Sequence, residues 1–334
     1  MLVGTRVSLL DACVLSTTVF LASCAGNQPP PETAPPPVAE IPPAPIETTT
    51  APPPETTPSE DGAPTPEPPA AKPVVRYEGL STPESVLHDE AQDRYLVSNI
   101  NGSPLEKDNN GFISELAPDG SVKNLRFIAG GEKKVTLNAP KGLLLVNDVL
   151  YVTDIDVVRR FDAKTGAPKG DIAVPGAHFL NDLAAAPDGR VFVSDSGPKM
   201  EGPGAVYVID KAGKVKPFAT GELGAPNGLW FRDGRLLVAT IGSNDVYELD
   251  ASGKRTDLAK LPKGGLDGIV LLADGTLLIS SWEGSAVYRG SPGGTFEAVI
   301  AGIDGPADIG FDAKRGLVLV PRFNGNAVEA YALP

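Results

Sequence analysis

Cysteine and histidine are nearly absent from this chain of 334 residues, and their scarcity limits the chemistry that it can support. The two cysteines are Cys13 and Cys24, both near the N-terminus, and the two histidines are His88 and His178. The rest of the chain therefore has no disulfide framework, no thiolate nucleophile and no cysteine ligand for a metal. A zinc site built mainly from histidine is excluded as well.

The chain also lacks any basic run, and its formal net charge is −13 at pH 7. An acidic protein without a basic patch is a poor candidate for binding nucleic acid or an anionic membrane surface. Its acidity would suit a cation site, although most of the carboxylates are expected to be solvated surface groups. We therefore expect a small-molecule ligand or substrate and no nucleic-acid partner.

No apolar run is long enough to span a bilayer as a helix. Residues Val14 to Ala22 are mostly apolar, and they are typical of a secretory signal peptide over residues 1–23. The end of this stretch, Leu21-Ala22-Ser23-Cys24, resembles the lipobox of bacterial lipoproteins, in which cleavage leaves a lipid-modified cysteine. The resemblance implies that Cys24 is lipidated, palmitate included, and anchors the protein in the bacterial cell envelope, at the outer membrane or cell surface. The alternative is an ordinary signal peptide with a cysteine there by chance.

Residues 24–73 hold more than half of the 34 prolines, and Thr, Ala and Glu supply most of the remainder. Such a segment cannot bury enough apolar surface to offset the entropy of ordering, so we expect a disordered linker with local polyproline II character. The domain proper is therefore predicted to span residues 74–334.

One pattern recurs six times in that domain: a short turn, an apolar stretch, a hairpin, and a strand that ends in a polar residue. The six strands that carry the polar end are YLVSN, LYVTD, VFVSD, LLVAT, LLISS and LVLVPR. A third strand follows each of them, and in most repeats a fourth, such as KVKPFAT. Four antiparallel strands repeated six times predict an all-β, six-bladed β-propeller.

The last repeat ends after its third strand, and the segment Val74 to Glu78 can supply the missing fourth strand. Closing the ring in this way would leave no exposed sheet edge. The first repeat carries an insertion, residues 101–110, which we expect to form a surface loop over one face.

Propeller symmetry brings equivalent turn residues of the six repeats together at one mouth of the central channel. These residues are Glu84, Lys141, Asn181, Asn227, Asp267 and Ala307. Two carboxylates and two amides are oxygen donors of the kind that a hard divalent cation prefers, calcium above zinc or magnesium. Asn and Asp are also ordinary turn residues. Alternatively, Lys141 forms an ion pair with one of these carboxylates, Glu84 or Asp267, and no metal binds.

The turn motifs PESV, FLND, PNGL and LDGI resemble those of the regucalcin (senescence marker protein)/gluconolactonase family of six-bladed propellers. The resemblance implies one divalent cation held by Glu84, Asn227 and Asp267, with Asn181 on the substrate side of the metal. It also implies that Asp267 acts as the catalytic base in hydrolysing a lactone or similar ester.

This sequence departs from the family where members that act on sugar lactones commonly have an arginine, since Phe179 stands there beside His178. The departure suggests a less polar substrate, or none. Lys141 and His178 are further candidates for substrate binding, and Asp195 and Asp308 for lining the same cavity. His88 lies in a charged hairpin and is expected at the surface, and Trp282 is assigned mainly to packing.

Two functions remain open from the sequence. The first is an envelope-anchored, metal-dependent hydrolase of lactones or similar esters; no GxSxG motif offers a competing serine nucleophile. The second is a non-catalytic propeller that binds a ligand or protein partner at the cell surface, since propellers host many functions. In either case we expect a monomer that meets the membrane only through its lipid.

Overall fold

A computed structural model of the chain describes residues 71–200 and 203–333. The predicted signal peptide, the predicted lipidation site at Cys24 and the linker up to residue 70 lie outside these residues. Within the described ranges the structure is all-β, and a 3₁₀ turn at Pro198–Met200 is its one helical element. No helix in these ranges is long and apolar enough to cross a membrane.

The strands form six separate four-stranded antiparallel sheets, which are the blades of the predicted propeller. Each of blades 1 to 5 is a meander of four consecutive strands. Blade 1 contains β2 (Pro83–Asp89), β3 (Arg94–Asn99), β4 (Phe112–Leu116) and β5 (Val122–Ala129). Blade 2 contains β6 (Pro140–Val146), β7 (Val149–Asp154), β8 (Val157–Asp162) and β9 (Pro168–Ala173). Blade 3 contains β10 (Leu180–Ala185), β11 (Val191–Asp195), β12 (Gly204–Ile209) and β13 (Val215–Gly221).

The other three blades repeat this arrangement, except that blade 6 takes one strand from the start of the domain. Blade 4 contains β14 (Pro226–Arg232), β15 (Arg235–Thr240), β16 (Asp245–Leu249) and β17 (Arg255–Lys260). Blade 5 contains β18 (Leu266–Leu271), β19 (Leu277–Ser281), β20 (Ala286–Gly290) and β21 (Phe296–Ala301). Blade 6 contains β22 (Gly310–Asp312), β23 (Leu317–Arg322), β24 (Ala327–Ala332) and, as its outer strand, β1 (Val75–Tyr77).

The ring closes as the sequence predicts, because β1 pairs antiparallel with β24, Val75 facing Ala330 and Tyr77 facing Val328. At the channel, blades 6 and 1 are joined by a parallel bridge between Ser85 and Asp308. The first strands of successive blades contact one another around the whole ring. Closure therefore leaves β24 no free edge.

The core lies between blades rather than at the centre of the molecule. In one cluster Phe192 and Val206 of blade 3 pack against Leu229 and Tyr247 of blade 4. At the next interface, Leu237 of blade 4 packs in the same way against apolar residues of blade 5. The second strand of each blade lies between two other strands and is apolar on both faces. Its sequence is therefore an unbroken apolar run, such as VFV or LLI. Packing between blades thus fixes the channel geometry.

Candidate active site

A β-bulge at the start of the first strand of each of blades 1 to 5 aims one side chain into the channel. In blade 1, Pro83 pairs with Asn99, and the next pair is Val86 with Val97. The pairing therefore advances three residues along β2 but only two along β3. The same register shift recurs at the start of β6, β10, β14 and β18. A bulge inserts an extra residue and re-aims its side chain. The second residue of each of these five strands is a residue that the sequence places at the channel mouth, and all five are buried: Glu84, Lys141, Asn181, Asn227 and Asp267. We call these five residues the ring.

Buried hydroxyl groups at the ends of the second strands hold these bulges in place. Ser194 Oγ accepts the backbone N–H of Asp182 (2.8 Å) and donates to the carbonyl of Asn227 in the next blade (2.7 Å). Ser280 Oγ makes the equivalent pair of bonds, from the Gly268 N–H and to the Ala307 carbonyl, both at 2.8 Å. A serine hydroxyl of one blade therefore fixes the backbone of the ring residue in the next blade.

Three ring residues each present an oxygen atom that is buried and has no hydrogen-bond partner. These atoms are Glu84 Oε2, Asn227 Oδ1 and Asp267 Oδ1. The second oxygen of Asp267, Oδ2, accepts a hydrogen bond from the indole Nε1 of Trp282 at 2.7 Å. Buried polar atoms without partners are costly and call for an explanation, of which a bound ion is one. The three residues implied as metal ligands are the ones that carry these atoms.

The electrostatics of the ring point in the same direction. Burial raises the pKa of Glu84 well above its usual value, and the nearby Asp267 and Asp308 carboxylates raise it further. Burial, together with Asp308, raises the pKa of Asp267 to about 8, against the opposing effects of the Trp282 and Asn227 side chains. Burial raises the pKa of Asp308 to about 7, although its bond from Ser85 opposes the shift. The ring gathers more negative charge than its surroundings stabilise, so a cation would be favoured there.

Lys141 does not form the ion pair that the alternative interpretation required. Its Nζ donates to the carbonyls of Pro104 (3.0 Å) and Ala139 (3.2 Å) and lies 4.4 Å from the centre of the Phe179 ring. Burial lowers the pKa of Lys141 to about 8, although Glu84 and Asp154 act to raise it. Across the described residues, Lys141 has no carboxylate oxygen within 4.0 Å. Its ammonium group therefore leaves the ring carboxylates without a direct partner.

The donor set fits a hard cation better than zinc. No group of three or more His, Cys, Asp or Glu side chains placed to hold a metal occurs within the described ranges. The set here instead mixes two carboxylates with amides, since the Asn227 oxygen is free and Asn181 is fixed by a bond from its Nδ2 to Ser196 Oγ (3.2 Å). All-oxygen donors of mixed charge are characteristic of calcium sites.

The other predicted site residues divide into those that meet the ring and those that do not. Asp308 is one of the carboxylates that raise the pKa of Glu84 and Asp267. Asp195 instead accepts the backbone N–H groups of His178, Phe179 and Gly197, which is a structural role. His178 is exposed, and no side-chain contact joins it to the ring.

The expectation that His88 lies at the surface is wrong. Its side chain is 3% exposed and lies 3.6 Å from both Asp93 and Asp312. The reason is that β2 is the innermost strand of its blade, so a residue near its end faces the channel. Trp282 packs as expected, in edge-to-face contact with Phe323 at 5.1 Å, but its bond to Asp267 was not predicted.

Beyond the ring the channel widens into a cavity of about 850 Å³ that runs toward the opposite face. Apolar side chains of the innermost strands form most of its wall, among them Leu87, Leu144, Phe231 and Phe311. Asp182 and Asp308 lie at its inner end, and both oxygens of Asp182 accept backbone N–H groups. The ring thus lies at one end of a channel whose wall is mostly apolar.

Fold and site together define the class of protein: a six-bladed propeller with oxygen donors converging at one end of its channel. Residues 117–314 match the family described as the SMP-30/gluconolactonase/LRE-like region, and the chain belongs to this family. The match includes Asn181, Asn227 and Asp267, while Glu84 lies before it. The family resemblance inferred from the turn motifs is thereby confirmed.

Solved structures share the fold at low sequence identity. A gluconolactonase from Xanthomonas campestris has a TM-score of 0.61 at 20% identity, covering 77% of this chain and 88% of that chain. A virginiamycin B lyase from Staphylococcus aureus has a TM-score of 0.51 at 15% identity, covering 78% of this chain and 99% of that chain. No curated protein matches the sequence. Because both identities are low, these structures support the fold alone.

Proposed function

We propose that this protein is a divalent-cation-dependent hydrolase of lactones or similar esters, with calcium as the expected ion. The observation that carries the proposal is the set of three buried oxygens without partners, on Glu84, Asn227 and Asp267. Membership of a family that includes gluconolactonases supports the reaction class. These residues, with Asn181 on the substrate side, would hold the ion.

When bound, a divalent cation would polarise the substrate carbonyl and lower the pKa of a water molecule. The protein's own contribution centres on Asp267. The Trp282 indole fixes Oδ2 and so orients the carboxylate, which would accept a proton from the attacking water and return it to the leaving alkoxide. The reaction adds water across the ester C–O bond and opens a lactone to the corresponding hydroxy acid.

Substrate contacts are proposed for Asn181, Lys141 and His178. Asn181 is held at the ring by Ser196, so its amide is positioned without further rearrangement. The buried ammonium group of Lys141 donates to two backbone carbonyls and lies over the Phe179 ring, and it would stabilise a developing negative charge if it turned toward the substrate. His178 is exposed beside Phe179 and would meet the outer part of a substrate.

The test is turnover of a lactone panel by the full chain after chelation, measured as acid release before and after calcium is added back. We expect calcium to restore activity in the wild type and Asp267→Asn to abolish it. Asp274→Asn, the same change at an exposed hairpin of the same blade, is the matched control and should remain active. Metal-independent turnover, or an active Asp267→Asn protein, would refute the proposal.

A non-catalytic propeller that binds a ligand or partner is the second candidate. The large apolar cavity on the opposite side of the ring favours it, since the hydrolytic proposal does not use that space. Reproducible turnover above the chelated control rules this candidate out.

We also propose that the protein is anchored in the cell envelope through a lipid on Cys24. Support comes from the Leu21-Ala22-Ser23-Cys24 motif in the sequence. Growth with labelled palmitate should label the wild type and not Cys24→Ser, whereas Cys13→Ser, a change within the predicted leader, should label normally. Equal labelling of both variants would contradict lipidation at Cys24.

A further inference from the structure

One position of the repeat carries a large apolar side chain in five of the six blades. It is the residue directly after the second strand: Ile100, Ile155, Ser196, Ile241, Trp282 and Phe323. In five blades its backbone N–H donates to the carbonyl of the residue preceding the first strand or its bulge, as in Ile241 to Ala225 (3.0 Å) and Phe323 to Gly305 (2.9 Å). Five of the six residues are therefore structurally equivalent, Ile155 holds the same position in the sequence of its repeat, and we call the six residues the collar.

Two contacts show that the collar lies against the ring. In blade 3 Ser196 Oγ accepts the Asn181 amide, and in blade 5 the Trp282 indole donates to Asp267 (2.7 Å). Trp282 in turn contacts Phe323, which packs on Ile100 and Ile155. The collar thus surrounds the mouth through which a substrate would approach the free oxygens of the ring.

Access to the collar is uneven around the mouth. The blade 1 insertion lies over the side of blades 1 and 2, where its Pro104 carbonyl accepts Lys141 and its Lys107 pairs with Asp156 at 2.7 Å. Beneath it Ile100 and Ile155 are buried. The collar residues of blades 4 to 6 are partly exposed: Ile241, Trp282 and Phe323.

We propose that the exposed side of the collar binds an apolar substituent of the substrate. This inference rests on the hydrolase function proposed above. It specifies the substrate as a lactone or ester with an alkyl or aryl group beside the reacting carbonyl. Hydroxyl groups placed against Ile241, Trp282 and Phe323 would lose hydrogen bonds to water without replacement, so polyhydroxylated lactones are disfavoured. An alkyl group there leaves water for an apolar wall, which is favourable in proportion to its area.

The first experiment measures kcat/KM for γ-lactones whose alkyl substituent grows from methyl to pentyl, with glucono-δ-lactone for comparison. We expect kcat/KM to rise about threefold to fourfold per methylene, as full burial of each would give. Phe323→Asn and Ile241→Thr should flatten this slope, because each lowers kcat/KM for the pentyl lactone by a larger factor than for the methyl lactone. Phe311→Asn is the matched control, because Phe311 lies in the same blade at the opposite end of the channel. A flat slope in the wild type, or a preference for glucono-δ-lactone, overturns the inference.

A second experiment separates this inference from the proposed function. The protein has two tryptophans, so Trp230→Phe leaves Trp282 as the only indole reporter, at the mouth. Titration with γ-lactams of the same alkyl series should change its fluorescence, with Kd falling as the chain lengthens. Chain-dependent lactam binding without lactone turnover would refute hydrolysis and keep the apolar subsite. Turnover with lactam binding that ignores chain length would keep hydrolysis and refute the subsite.

Discussion

Stripping the metal should give a protein whose stability falls as the pH rises from 5 to 7. Asp267 is buried and its pKa is raised from 3.8 to about 8, so the folded chain keeps that proton across this range. The unfolded chain has lost it by pH 5. Folding therefore takes up a proton, and stability is lost with increasing pH until the folded pKa is passed.

The magnitude follows from the proton count. One proton corresponds to about 1.4 kcal/mol per pH unit, or about 3 kcal/mol between pH 5 and 7. For a domain of this size that free energy equals a fall in Tm of about 6 to 12 °C. Glu84 and Asp308, whose pKa values are also raised, add to the slope in the same direction.

The assay is thermal or urea unfolding of the full chain in excess chelator at pH 5, 6 and 7. Asp267→Asn should reduce the slope of the free energy of unfolding against pH by the equivalent of about one proton. Saturating calcium should raise the stability of the wild type most at pH 7. Asp274→Asn, at an exposed carboxylate, should leave the slope unchanged. A metal-free protein that gains stability from pH 5 to 7 would refute the assignment of a buried, protonated Asp267.

Three further perturbations test how the scaffold holds the ring. Gly228→Ala places a methyl group 2.2 Å from the Asp267 carbonyl oxygen, so it should lower the free energy of unfolding by about 3 kcal/mol. It should also weaken calcium binding in calorimetry, and unchanged affinity would contradict this packing. Ser280→Ala leaves the Gly268 N–H and the Ala307 carbonyl without their partner and should lower the free energy of unfolding in urea by about 1 to 3 kcal/mol. Deleting residues 74–78 exposes the edge of β24, so light scattering should show concentration-dependent association, and a monodisperse variant would refute closure by β1.

Much of the fold and site could be predicted because both follow from repetition. The spacing of the turns fixed the number of blades, and symmetry placed Glu84, Asn227 and Asp267 at one mouth. The missing fourth strand of blade 6 was predicted for the same reason, since an unpaired edge in the last repeat needs a partner.

The features that could not be predicted depend on register and side-chain direction. The bulge that separates Asn181 from Asp182 sends them to different sides of the ring, and no sequence pattern marks which residue is the extra one. Trp282 donates to Asp267 while it packs edge-to-face on Phe323, and the sequence pattern does not indicate in which direction the indole points. His88 was misassigned because a charged hairpin resembles a surface element even when its strand lines a channel.

The most direct test of the metal ring is calorimetric titration of calcium into the chelated full chain. We expect binding at one site in the wild type, its loss in Glu84→Gln, and its retention in Glu78→Gln, which makes the same change at an exposed carboxylate. Absence of binding to the wild type, or unchanged binding to Glu84→Gln, would contradict a cation held by Glu84, Asn227 and Asp267.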